Sequence, residues 1–259
     1  MGEHVTVTVD EHGVATVRVD RAPVNALNAQ VWQELAGAAS RCADDDAIAS
    51  VVLWGGPKVF AAGADIKAMN GLGFQDMFTQ ASKLQAACSA LARIPKVTIA
   101  AVNGYALGGG CELAMAADFR YAAEDATFGQ PEILLGIIPG AGGTQRLPRI
   151  VGVQKAKEMI YGGDFYTAEQ CHGMGLADRV LPSDRVYDEA VSAARRYARG
   201  PYALRMAKKA IDEGGEVDLD SGLRLETSLF AACFATADRA AGLRSFLEQG
   251  PGKARFTRS

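Results

Sequence analysis

Two acidic residues and three glycine-rich segments are where this chain has the means for chemistry. Glu112 follows Gly108, Gly109 and Gly110 and opens the apolar stretch Cys111 to Ala117. Glu132 lies between Pro131 and Ile133-Leu134-Leu135. A carboxylate walled by apolar side chains has its neutral form favoured and its pKa raised, which suits proton transfer near neutrality. The open-backbone segments are Phe60 to Asp65, Asn103 to Glu112 and Gly136 to Thr144. The first two read as strand-to-helix junctions, where N–H groups of the first helical turn have no intrahelical partner. Two such donors aimed at one point make an oxyanion hole, which acts where negative charge develops on a carbonyl oxygen. With two carboxylates beside it, the hole would serve to add or remove water next to an activated carbonyl. One carboxylate handles the water while the hole holds the enolate-like charge. Each feature alone also has a plainer reading. Glycines allow close helix–strand packing, Glu112 can complement a helix dipole, and Glu132 can be an exposed carboxylate beside a turn proline.

The surrounding elements follow from periodicity. Val5, Val7 and Val9 alternate with threonines, Gly13 interrupts, and Val14 to Val19 alternates again, which predicts a hairpin. Asn28 is placed to cap a helix running to about Cys42. Ser50 to Trp54 and Val97 to Val102 are continuous apolar runs, as in strands buried on both faces. Between them Phe74 to Arg93 has helical spacing and stops at Pro95; Phe119 to Tyr121 reads as a short strand. Strands alternating with helices predict an α/β fold. Beyond residue 150 the pattern becomes helical: Gln154 to Tyr161, Ala168 to Met174, Arg185 to Arg199, Tyr202 to Asp212, Ser221 to Ala235 and Ala237 to Leu247.

Composition narrows the class. The 259 residues suffice for a core without staples. Lys+Arg 27 against Asp+Glu 30 gives a net charge of −3, with no basic field for a nucleic-acid backbone. A local anionic ligand needs only a few lysines or a helix N-terminus. Five cysteines, an odd number with no C-x-x-C pair, read as reduced thiols of a cytoplasmic protein. Three scattered histidines give no metal-ligand spacing. Neither a signal peptide nor an apolar run long enough to span a membrane is expected. No G-x-G-x-x-G, Walker A or G-x-S-x-G motif occurs. Glycine is in excess, 29 of 259 residues, against a typical level of about 7%.

Four segments together resemble the enoyl-CoA hydratase (crotonase) family: Arg21 to Asn28 (RAPVNALN), Phe60 to Lys67 (FAAGADIK), Asn103 to Met115 (NGYALGGGCELAM) and Phe128 to Leu147 (FGQPEILLGIIPGAGGTQRL). The match covers essentially the whole chain. It implies a crotonase-like spiral of ββα turns over residues 1–195, with a helical C-terminal trimerisation region over 196–259. Carried over by position, the backbone N–H groups of Ala64 and Gly109 hold the thioester oxygen, and Glu112 and Glu132 position and activate water. Gly140 N–H helps to place that water. Ala62, Ala64, Asp65, Ile66, Lys67 and Gly109 line the path of coenzyme A, which the substrate carries, so no separate cofactor and no metal is expected. Both carboxylates being present favours a hydro-lyase: syn addition of water to trans-2-enoyl-CoA, giving 3-hydroxyacyl-CoA in acyl-CoA catabolism. In the family's usual account Glu132 relates to protonation at C2 and Glu112 acts more as base toward water; sequence alone leaves the assignment open. The alternatives are an enoyl-CoA Δ-isomerase using one glutamate, and a non-catalytic acyl-CoA-binding protein. The resemblance further implies a homotrimer or a homohexamer built as a dimer of trimers. The family's lysine after the last helix is absent, since Gln249 follows Glu248. Lys253 or Lys58 is then left to meet CoA phosphates, and a solvated surface role for each is equally open. Cys111, His172, Trp32 and Trp54 read as structural.

Overall fold

The computed structural model of the chain describes residues 2–259. Strands β1 (Val5–Val9) and β2 (Val14–Val19) form the expected antiparallel hairpin, turning at Gly13 with φ 77°. β1 is half-buried, as its alternation predicts. β2 is buried at every residue but Arg18, because β3 (Ser50–Trp54) runs parallel along its other edge. β4 (Val97–Val102), β6 (Phe119–Ala123) and β9 (Arg179–Leu181) continue the parallel sheet in the order β1-β2-β3-β4-β6-β9. A smaller sheet joins β5 (Tyr105–Leu107), β7 (Thr127–Gly129) and β8 (Phe165–Thr167).

The chain visits the two sheets in turn and then makes a helix. From β3 it passes through Ala61, which bridges Ala106 of the small sheet, into α2 (Ile66–Met69) and α3 (Phe74–Ala92). From β4 it passes through β5 into α4 (Gly109–Met115). From β6 it passes through β7 and a 3-10 turn, Pro131–Leu135, into α5 (Gly143–Val151). Each circuit is one ββα turn. The small-sheet strands have three residues each, too few for a periodic signal, and the sequence pattern assigns no element there. α1 (Ala29–Asp44) is capped as expected, Asn28 Oδ1 accepting from Val31 N–H at 2.9 Å. Its other end is closed by buried Lys96, whose Nζ donates to the Cys42 and Asp45 carbonyls at 2.7 Å each. Leu35, Ile48, Phe60, Ile99, Leu113 and Phe128 form the centre of the core.

The later helices are α6 (Val153–Gly162), α7 (Ala168–Gly173), α8 (Val186–Ala198), α9 (Ala203–Gly214), α10 (Leu219–Cys233) and α11 (Ala237–Gln249). α8 buries Val186, Ala190, Ala194 and Ala198 against β2, β3 and β4. α9, α10 and α11 bury no apolar side chain, and Ile211, Leu219, Phe230, Phe246 and Leu247 stand exposed on them. Their one buried side chain is Asp238, which accepts from the N–H groups of Tyr202, Thr257 and Arg258 and so ties the C-terminal tail to the helices. All five cysteines are free. Among the described residues no helix is long and apolar enough to cross a membrane.

Candidate active site

The segment after β3 is held from both sides. Ala61 N–H donates to Tyr105 O at 2.9 Å and Ala61 O accepts from Leu107 N–H at 3.1 Å. Gly63 O accepts from Leu27 N–H at 2.8 Å, and Asp65 N–H donates to Leu27 O at 3.2 Å. Between these anchors Gly63 turns at φ 104°, where a side chain would be strained. The Ala64 N–H is left with no acceptor among the described residues. So is the N–H of Gly109, the first residue of α4. The two amides lie close together: a Cβ added to Gly109 would sit 3.7 Å from Ala64 N. Two unpaired donors thus meet at one place, the geometry an oxyanion hole requires. One residue on, a Cβ on Gly110 would run into the Ala61 carbonyl, so glycine there is a packing requirement as well. The Trp32 ring backs the junction, 3.3 Å from where a Gly109 Cβ would lie.

The direction of the Gly109 N–H is set from its own peptide. The Gly108 carbonyl accepts from Glu112 N–H and from Gln130 Nε2, both at 2.9 Å. Carbonyl and N–H share one rigid plane, so restraining the oxygen aims the hydrogen. Gln130, just after β7, is fully buried, and its Oε1 has no partner. Sequence reasoning passed over this residue, which sits between a three-residue strand and the 3-10 turn, where no periodic pattern marks a buried polar side chain.

The two glutamates are held very differently. Glu112 is 2% exposed, and its Oε1 accepts from Ala141 N–H and Gly143 N–H at 2.7 Å each. Burial dominates and raises its pKa, while these amides and the Arg146 charge pull it only part of the way back. Neither donor was anticipated. Gly140 N–H, expected to hold water, has no acceptor among the described residues, and its Cα faces open space. Glu132, in the first turn of the 3-10 segment, lies over the second glycine junction: a Cβ on Gly108 would come within 3.0 Å of Glu132 Oε1. It is half-buried, and its Oε2 is buried without a partner. Burial, with the Glu112 charge adding, raises its pKa from 4.5 to about 7.

That shift carries a stability consequence. Between those values the folded chain holds a proton that the unfolded chain has released, so stability falls as pH rises through the window. Glu132→Gln removes the penalty while keeping the shape. The variant should melt roughly 2–4 °C above the parent near pH 8 and together with it near pH 4, measured by thermal unfolding. Equal Tm values at the higher pH would contradict a raised Glu132 pKa.

The remaining expected residues divide by what the protein already does with them. Ala62 N–H donates to Val24 O at 3.0 Å. Asp65 caps α2 through Ala68 N–H and pairs with Arg21 at 2.8 Å, and the Arg21 guanidinium holds its carboxyl below the ordinary value. Ile66 and Lys67 are exposed on α2, and Lys58 and Lys253 are exposed elsewhere. His172 places Nδ1 2.9 Å from Ala177 O, in the turn that follows its helix, and has no bond to the glutamates. Trp54 stacks on Tyr187 with centroids 4.2 Å apart. Among the described residues no three His, Cys, Asp or Glu side chains gather as metal ligands.

Residues 10–257 match the family model described as enoyl-CoA hydratase/isomerase. A probable enoyl-CoA hydratase of Mycobacterium bovis is 44% identical over 249 residues, covering 95% of this chain and 96% of the relative. A crotonyl-CoA hydratase of Syntrophomonas wolfei is 40% identical, covering 92% and 93%. The crystal structure of enoyl-CoA hydratase from Bacillus anthracis superposes with a TM-score of 0.91 at 37% identity, over 95% of this chain and 97% of the other. The crotonase fold implied by four sequence motifs is therefore the fold adopted, and by sequence and architecture together the chain belongs to the enoyl-CoA hydratase/isomerase family.

Proposed function

We propose that this chain hydrates trans-2-enoyl-CoA thioesters to 3-hydroxyacyl-CoA. The observation that carries the reading is the pairing of two unbonded backbone amides, Ala64 and Gly109, with two carboxylates in unlike environments. The thioester oxygen accepts from both amides. Water, placed with the help of Gly140 N–H, gives a proton to Glu112 as its oxygen bonds to C3. The alkene electron pair moves onto the thioester oxygen, where the amides stabilise the charge. C2 then takes a proton from Glu132 and the thioester carbonyl re-forms. Glu112 ends protonated and Glu132 ionised, and exchange with solvent resets the pair. Unlike holding supports this division: amide donors favour ionised Glu112, and an unpartnered buried carboxyl favours protonated Glu132. The coenzyme A enters with the substrate along Ala62, Asp65, Ile66 and Lys67, and no separate cofactor or metal takes part.

The exposed apolar side chains on α9–α11 support assembly as a homotrimer, or a dimer of trimers, through residues 196–259 of a cytoplasmic enzyme. The deciding experiment is loss of the enoyl absorbance band of crotonyl-CoA in the presence of the protein, repeated over a chain-length series. Loss of the band sustains the reading. No loss at any chain length sinks it, and conversion of a 3-enoyl-CoA to the 2-enoyl isomer in its place would favour the isomerase.

A further inference from the structure

One side chain of helix α3 hydrogen-bonds to the loop that carries the site. Ala87, Cys88 and Leu91 bury its C-terminal half, whereas Phe74 and Phe78 stand exposed at the other end. Between the two, Gln85 Nε2 donates to the Gly140 carbonyl at 3.2 Å. The other side-chain hydrogen bonds of α3 are local: Thr79 to the Gln75 carbonyl, Ser82 to the Thr79 carbonyl, and Asp76 accepting from Gly73 N–H. The Gly140 carbonyl belongs to the peptide unit whose N–H is that of Ala141, and this N–H donates to Glu112 Oε1 at 2.7 Å. A peptide unit is planar and stiff, so restraining its oxygen restrains the aim of its hydrogen. Gln85, the Gly140–Ala141 peptide and Glu112 form one continuous hydrogen-bonded chain from an exposed helix to a buried carboxylate.

From this juxtaposition we propose that Gln85 is a positioning residue, which fixes the Gly140–Ala141 peptide and through it the orientation and proton affinity of Glu112. The proposal rests on the reading of Glu112 as the base toward water. Gln85 is exposed and its bond is at the long end of the normal range, so its effect is graded. It also borders the Gly140 amide assigned to the water, so one side chain steadies two of the groups that the first step uses.

The test compares four variants on crotonyl-CoA across pH. Gln85→Leu removes the donor and keeps helix propensity. It should lower kcat about three- to tenfold with KM within about twofold, because a misaligned donor weakens a step and not ground-state binding. The acidic limb of its kcat/KM profile should move to higher pH, since a carboxylate with poorer donors holds its proton more tightly. Gln85→Lys restores a donor of similar reach and should recover at least about half of the lost kcat. Lys83→Leu, on the opposite side of α3, should keep parental kinetics. Parental kcat and an unmoved limb in Gln85→Leu, with Glu112→Gln inactive, overturn the positioning role. Equal losses in Gln85→Leu and Lys83→Leu, with lowered Tm, overturn it as general loosening of the helix. Parental turnover in Glu112→Gln overturns the base assignment and the proposal with it.

Discussion

With crotonyl-CoA, the Glu132→Gln variant should turn over at least about 10²-fold more slowly than the parent, the lower end of what a positioned acid or base contributes. Its KM should change little. The carboxyl lies over Gly108, beside the two free amides, with Oε2 already unpartnered, so glutamine replaces it without breaking a hydrogen bond. The loss should therefore fall on kcat, as for a group that acts in the transition state. A pKa raised to about 7 adds a pH signature: kcat/KM for hydration should decline on the alkaline side as Glu132 loses its proton, and Glu132→Gln should flatten that limb. Steady-state kinetics between about pH 5 and 9 check both. Turnover within a few-fold of the parent would remove Glu132 from the chemistry.

Glu112→Gln should cost about 10²- to 10⁴-fold in kcat. The glutamine oxygen still accepts from Ala141 and Gly143 N–H where Glu112 Oε1 now does, so the loop keeps its anchor while the charge that the proposed mechanism needs to take a proton from water is gone. Glu112→Ala should do more: it leaves two buried N–H groups unsatisfied and should lower Tm as well as kcat. The double Glu112→Gln, Glu132→Gln variant should be little worse than the poorer single one, since residues that act as a unit lose rate non-additively. Rates multiplying independently would mean that the carboxylates serve separate steps. Parental turnover in the single variant would return Glu112 to a purely structural role.

Long periodic segments were legible from sequence. The hairpin, β3, β4, α1, α3 and the helices after residue 150 lie within a few residues of their expected bounds, because periodic burial over many residues is a strong signal. What escaped was short or conditional on the fold. The small sheet is made of three-residue strands, and α5 begins at Gly143 within glycines that read as open backbone. The two glutamates stood out because carboxylates next to glycine or among apolar residues are unusual. The groups that hold them did not. The donors to Glu112 are backbone amides of Ala141 and Gly143, which any residue but proline supplies, so side-chain type carries no trace of them. Gln130 and Gln85 matter only through which carbonyl they reach, and that is fixed by tertiary approach. Trp32 read as packing, and the structure adds that its ring packs against the Gly109 junction itself.

The contrast between the two glutamates also bears on how this scaffold can change its chemistry. Glu112 doubles as a fastener: an amide of the 136–142 loop and the first amide of α5 close on one of its oxygens, so any replacement unable to accept there must rebuild the junction. Glu132 fastens nothing with its side chain. Its position is a vacant post that selection or an engineer can refill with another acid, a neutral polar group or a small residue at little structural cost. New reactions on this framework should therefore arise first by substitution at position 132, with position 112 retained long after its original duty has lapsed.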